Sequence, residues 1–150
     1  MSTALAVLAL TSTGLLVGVE LSVAVVVNPL LRALPIGAMI AGRSHGARML
    51  GRAMPTWYIG STVLVSGVAL TAWGSPSAAL CLVAVGLLLV TVVLSVAVLV
   101  PINNRSATWT TDSYPSDWRS LQQRWDRLHA VRVGVLVAAL VLVAAAVALR

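Results

Sequence analysis

Four long apolar runs alternate with polar stretches along this chain, at about residues 4–27, 57–73, 78–100 and 130–149. A helix needs ~20 apolar residues to cross a hydrocarbon core, and each run is near that length. In lipid each segment must satisfy its own backbone hydrogen bonds, which selects helices. A small β-barrel would show alternating polarity, and these runs show none. The pattern predicts an all-α, integral membrane four-helix bundle, a single domain over residues 1–150 without a sequence repeat.

The interruptions refine this picture. Gly74-Ser75-Pro76-Ser77 is a tight, uncharged turn, whereas Asn28-Pro29 and Pro101 are expected to end the first and third crossings. The first long connection runs from Leu30 to Pro55, and its segment between Pro35 and Pro55 spaces Arg48 and Arg52 as a helix would, so an additional short helix is expected there. Ser116 or Asp117 is placed to cap a fourth helix starting near Trp118 and running for over ~30 residues, because no Pro or Gly intervenes before Gly134.

Composition agrees with a membrane protein: 59% of residues are hydrophobic and only 9% charged. All ten cationic residues are arginines, and they crowd the two long connections. Basic connections mark the cytoplasmic face, so both long connections are expected there, with both termini outside. Contact with anionic head groups explains this charge, and nucleic acid is not expected as a partner. Trp57 and Tyr58 at one end of the second crossing and Trp73 at the other suit the two interfacial aromatic belts. Cys81 is the single cysteine, so no intramolecular disulfide forms. The N-terminal run lacks a basic start and is read as an uncleaved span.

Against this apolar background a few polar residues stand out. Glu20 is the only acid within a crossing, and a central carboxylate costs ~2.5–3.5 kcal/mol, so it is expected to face the bundle interior. Its candidate roles are a ligand, a proton carrier or a counter-ion, against a structural role as a protonated or hydrogen-bonded group between helices. Gly14 and Gly18 beside it form a small-xxx-small pair, which would serve a close helix approach or a homo-oligomer. Trp125, His129 and Arg132 share one face of the fourth helix, extending back to Trp118 and forward to Leu136. His45 is the other imidazole. Two histidines and a carboxylate suit iron, and imidazole also suits copper or zinc, so Glu20, His45 and His129 form a candidate metal set. By helical rise, however, Glu20 and His129 differ in depth by roughly 6 to 12 Å. Asn28, Asn103 and Asn104 gather by topology at one end, either as caps or as groups orienting a polar substrate. Arg132 is placed to pair with Glu20 or to bind a phenolate.

The segments VPINNR (100–105) and RWDRLHAVR (124–132) carry a resemblance to a known family. The chain resembles the anthrone-oxygenase-like integral membrane family, whose members share four helices, P-x-N-N after the third and W-x-x-x-H-x-x-R opening the fourth. Those positions here are Pro101, Asn103, Asn104, Trp125, His129 and Arg132, with Asn28-Pro29 and Ala47-Arg48-Met49 also similar. The resemblance implies an oxygenase tailoring a hydrophobic, anthrone-like aromatic metabolite drawn from the lipid bilayer. It implies His129 as the base or a metal ligand, and Arg132, Asn103 and Asn104 as the holders of an enolate oxygen. Trp125, Asn28, Met49 and Arg48 would contact the substrate. The cofactor is either a transition metal, iron or copper, or none with molecular oxygen alone. Two other classes stand beside this reading: a carrier using Glu20 as its proton relay, and a non-catalytic accessory subunit.

Overall fold

A computed structural model describes residues 2–149. Among these the chain is helical and without strands. The elements are α1 (Thr3–Ser22), α2 (Asn28–Ala33), α3 (Ile36–Thr71), α4 (Pro76–Leu94), α5 (Val100–Ser106) and α6 (Trp118–Ala148). A π-turn, Val23–Val27, joins α1 to α2, and a second, Ser95–Leu99, joins α4 to α5. The four resulting rods, Thr3–Ala33, Ile36–Thr71, Pro76–Ser106 and Trp118–Ala148, are each long and apolar enough to cross a membrane. The chain is a multi-pass membrane protein. The end of the bundle where α2 and α5 finish and α6 begins is called distal below.

The expected ends of the first and third crossings are corrected: both helices run on through their prolines. A proline within a helix lacks an N–H and crowds the carbonyl four residues back. Each π-turn finishes two residues before such a proline, Pro29 and Pro101, and its wider spiral lets the ring pass. The motif is used twice, since Leu-Ser-Val-Ala-Val occurs at 21–25 and again at 94–98, each time followed by the proline and then an arginine, Arg32 or Arg105.

The first connection is helical as expected, yet its helix is continuous with the second crossing. Pro55 lies inside α3, and the residue four before it is Gly51, whose missing side chain leaves open space. Gly42 allows α2 to fold back on α3, because a Cβ there would meet Leu31 Cδ2 at 2.6 Å. At the tight turn Gly74 takes a φ of 82°, and Ser75 Oγ accepts the Ala78 N–H at the start of α4. Helix α6 begins at Trp118, although Asp117 makes no capping side-chain bond.

In cross-section the rods run in a ring: α1 packs on α3 and α6, α4 packs on the same two, and α1 and α4 are diagonal. Steps of three and four residues bring Ala6, Ala9 and Leu16 of α1 together with Val65 and Ala69 of α3. Ala84 and Leu88 of α4 meet Leu136, Ala139 and Val143 of α6 in the same core. Without a hydrophobic force between helices in lipid, such small seam residues matter because they let backbones approach closely. The outward faces are apolar too, with Leu15, Val63, Leu70, Leu89 and Val141 exposed.

Near the π-turns the ring opens. Helix α3 packs on α1 above and α5 below, but has little or no contact with either π-turn, whereas α6 touches both. The space so left becomes the main cavity.

Candidate active site

That cavity measures about 450 Å³ and draws on all four rods. Most of its wall is apolar, including Val23, Val96, Leu99, Met54 and Ile59. A polar cluster near its middle draws on every rod: Glu20 of α1, Tyr58 of α3, Ser95 of the second π-turn, and His129 with Arg132 of α6.

Glu20 is the hub. Its Oε1 accepts the Tyr58 hydroxyl at 2.9 Å, and its Oε2 accepts Arg132 Nη2 at 2.6 Å. Arg132 Nη1 donates to Ser95 Oγ at 2.7 Å, and the Ser95 hydroxyl donates in turn to the Thr91 carbonyl at 2.6 Å. The guanidinium also lies 5.5 Å from the centre of the Tyr58 ring. Glu20 and His129 are only 3% and 1% exposed. A buried charge is tolerable because it is paired and hydrogen-bonded on both oxygens.

His129 is held on both nitrogens. Arg132 Nη2 lies 3.1 Å from Nδ1, and a guanidinium only donates, so Nδ1 presents its lone pair. The remaining Nε2–H donates to the Glu20 backbone carbonyl at 3.1 Å, where α1 gives way to the π-turn. Trp125 stacks on the imidazole, with ring centres 4.6 Å apart and planes 14° from parallel. The depth gap estimated from helical rise is thus absent. It assumed that the first crossing ends at Asn28 and the fourth begins near Ala130, and neither is so.

The expected metal set does not assemble. His45 is exposed on α3 and does not line the cavity, and among the described residues no three His, Cys, Asp or Glu side chains converge. The Arg132 guanidinium, touching both Glu20 Oε2 and His129 Nδ1, fills the place a cation would take. These donors do not fit a metal ion.

The other expected residues divide. Asn28 is buried and lines the cavity together with Asn103 and Asn104, and none of the three amides has a hydrogen bond among the described residues, nor do they act as caps. Trp125 lines it too, with its Nε1–H buried and unpartnered, as is Arg132 Nε. Met49 is corrected: it is 59% exposed and lies outside the cavity, where Met54, five residues on, takes a place in the wall. Arg48 also lies outside. It donates to Ser44 Oγ at 2.6 Å and to the Ala107 carbonyl at 2.7 Å, tying α3 to the end of α5.

Several participants have little or no signal in the sequence. Tyr58, which by sequence suits an interfacial belt, is instead one helical turn from Ser61 and two from Val65 on the buried stripe of α3. Ser95 carried no signal beyond its place in the recurring motif. At the distal floor of the cavity, Arg43 Nη1 donates to Gln122 Oε1 at 2.6 Å and to Asp126 Oδ1 at 3.1 Å, and Gln122 Nε2 donates to Ser106 Oγ at 3.0 Å. Gln122 and Asp126 continue the Trp125–His129–Arg132 face by helical steps, which was the available clue.

Comparison with known proteins places the chain in a family. Residues 47–142, well over half of the chain, fit the model of the family described as anthrone oxygenase. That segment contains Tyr58, Ser95, Asn103, Trp125, His129 and Arg132, while Glu20 and Asn28 precede it. Neither a curated protein nor a solved structure matches.

Proposed function

The chain belongs to the anthrone oxygenase family, and from that premise and the cavity we propose a membrane-embedded oxygenase-type oxidoreductase acting on a hydrophobic aromatic metabolite of anthrone type. The observation that carries the reading is the Glu20-centred polar cluster set in a largely apolar cavity of about 450 Å³. Such a cavity takes a flat, greasy molecule and meets it with few, fixed polar groups. Where α3 stands off from both π-turns, exposed Val27, Ile59 and Val96 border the cavity, which supports entry from the hydrocarbon phase.

The chemistry begins with loss of a proton from an acidic C–H. Glu20 accepts it, because each of its oxygens keeps a lone pair beside its one hydrogen bond, whereas the single lone pair of His129 Nδ1 already faces Arg132. His129 then holds Arg132 and the Glu20 backbone in place rather than taking the proton itself. As the proton moves, negative charge passes from Glu20 to the substrate oxygen, and Arg132 stays paired with whichever group carries it. The charge in the cavity is therefore conserved, so the step avoids creating an unpaired ion in a low-dielectric site. The side-chain amides of Asn28, Asn103 and Asn104, which line the same cavity without a hydrogen-bond partner among the described residues, supply further donors for that oxygen. The carbanion adds molecular oxygen to give a hydroperoxide anion, which takes the proton back. Loss of water then leaves a carbonyl, converting a CH₂ and O₂ into C=O and H₂O.

Oxygen uptake by the protein in nanodiscs with an anthrone tests this. The wild type is expected to consume one O₂ per quinone formed, and Glu20→Gln to lower turnover at least about a hundredfold, the usual scale for removing a general base. A wild-type rate no faster than spontaneous oxidation, or a Glu20→Gln variant at the wild-type rate, refutes the proposal.

A further inference from the structure

A second cavity, of about 400 Å³, opens at the distal end between the α2–α3 corner and the start of α6. It shares only Arg43 and Gln122 with the first, and their 2.6 Å hydrogen bond stands between the two. Its walls are of two kinds. On one side are Arg32, Arg43 and Arg119 against a single acid, Asp126. That carboxylate is already shared: Arg43 holds it with two nitrogens, at 3.1 and 3.2 Å, and Arg32 Nη1 with a third contact at 3.2 Å. Arg32 therefore keeps donors to spare. Among the described residues Arg119 makes no ion pair, and its guanidinium rests 5.1 Å from the centre of the Trp118 ring. On the other side are Leu34 and Ile36, which remain 40% and 43% exposed beside these charges.

A cationic group of this kind next to uncovered apolar side chains, at the end of membrane-crossing helices, matches an amphiphile at the depth where head groups lie. Two arginines on different helices reach different oxygens of one phosphate, which a lone surface charge does not. The volume is more than ten times the ~30 Å³ share of one water, enough for a head group and the first carbons of its chains.

We infer that this outer cavity binds the phosphate head group of an anionic amphiphile, held between Arg32 and Arg119 with its first carbons on Leu34 and Ile36. The site is independent of the oxidation chemistry, and its occupant would brace the corner where α2 turns into α3.

The test uses the full chain in neutral detergent, titrated with short-chain phosphatidylglycerol, with phosphatidylcholine and with inorganic phosphate, followed by native mass spectrometry and thermal unfolding. Phosphatidylglycerol is expected to bind and to raise the melting temperature, and phosphatidylcholine to do so at least about tenfold more weakly. Stabilisation by inorganic phosphate alone identifies a free phosphate as sufficient, whereas response to the lipid alone identifies the head group in its lipid. Arg119→Gln breaks no ion pair and is expected to weaken binding about fivefold, with a larger loss in Arg32→Gln/Arg119→Gln. Arg124→Gln/Arg127→Gln, on the same helix but outside the cavity, is expected to stay within about twofold of wild type. Equal binding of the two lipids, no change in Arg119→Gln, or an equal loss in the Arg124/Arg127 pair overturns the inference.

Discussion

Replacing Arg132 by Met leaves the stem of the side chain largely filled and removes the charge that faces Glu20. The two groups are 2.6 Å apart, and their side chains are 10% and 4% exposed. At an effective dielectric of about 20, unit charges this close attract by about 6 kcal/mol. Desolvation of both ions offsets part of that, so losing one partner of a buried pair costs about 3–5 kcal/mol. The bonds to Ser95 and His129 disappear with it. Glu20→Gln is expected to cost about 3 kcal/mol, because Arg132 is then the unpaired charge while Tyr58 retains an acceptor. The double variant has neither charge and should lose about 2 kcal/mol or less, a coupling of ~4 kcal/mol or more. Unfolding in mixed micelles of rising SDS content, followed by circular dichroism, measures all three variants against wild type. If the single losses add to within about 0.5 kcal/mol of the double, Glu20 and Arg132 are not a coupled pair and the polar cluster as described is wrong.

Two further outcomes follow from placements that differ from expectation. His45→Ala and Met49→Ala are both at exposed positions outside the cavity, so stability should change by under about 0.5 kcal/mol and anthrone turnover should match wild type; a tenfold loss in either would return that residue to the site. Deleting Val26 removes the extra residue of the first π-turn and restores an α-helical ladder without turning the faces of α1 or α2. The helix content should survive by circular dichroism while substrate binding falls at least tenfold, because the first crossing then closes on α3; unchanged binding would show that the π-turn does not keep the cavity open.

Much of this protein could be read along the chain. Four apolar runs impose helices, since hydrocarbon offers no other partner for backbone N–H and C=O groups. The face carrying Trp125, His129 and Arg132 follows from helical spacing alone, and the penalty on Glu20 sends it inward wherever the neighbouring helix lies. The family match rests on the same linear pattern.

Other features depend on distance in space. A proline reads locally as a helix end, and only the π-turns, stabilised by packing against α6, show that both rods continue. Tyr58 reads as an interfacial ring until the register of α3 against α1 brings its hydroxyl to Glu20. His45 and His129 are the same residue type and looked equivalent, yet one is on an outer face and the other between Glu20 and Trp125. Periodicity fixes which side of a helix a residue occupies. Which side chain of another helix stands opposite, and hence whether Glu20 meets a metal ion or the guanidinium of Arg132, is set by how the rods slide and rotate against one another, and that is decided only when the whole bundle packs.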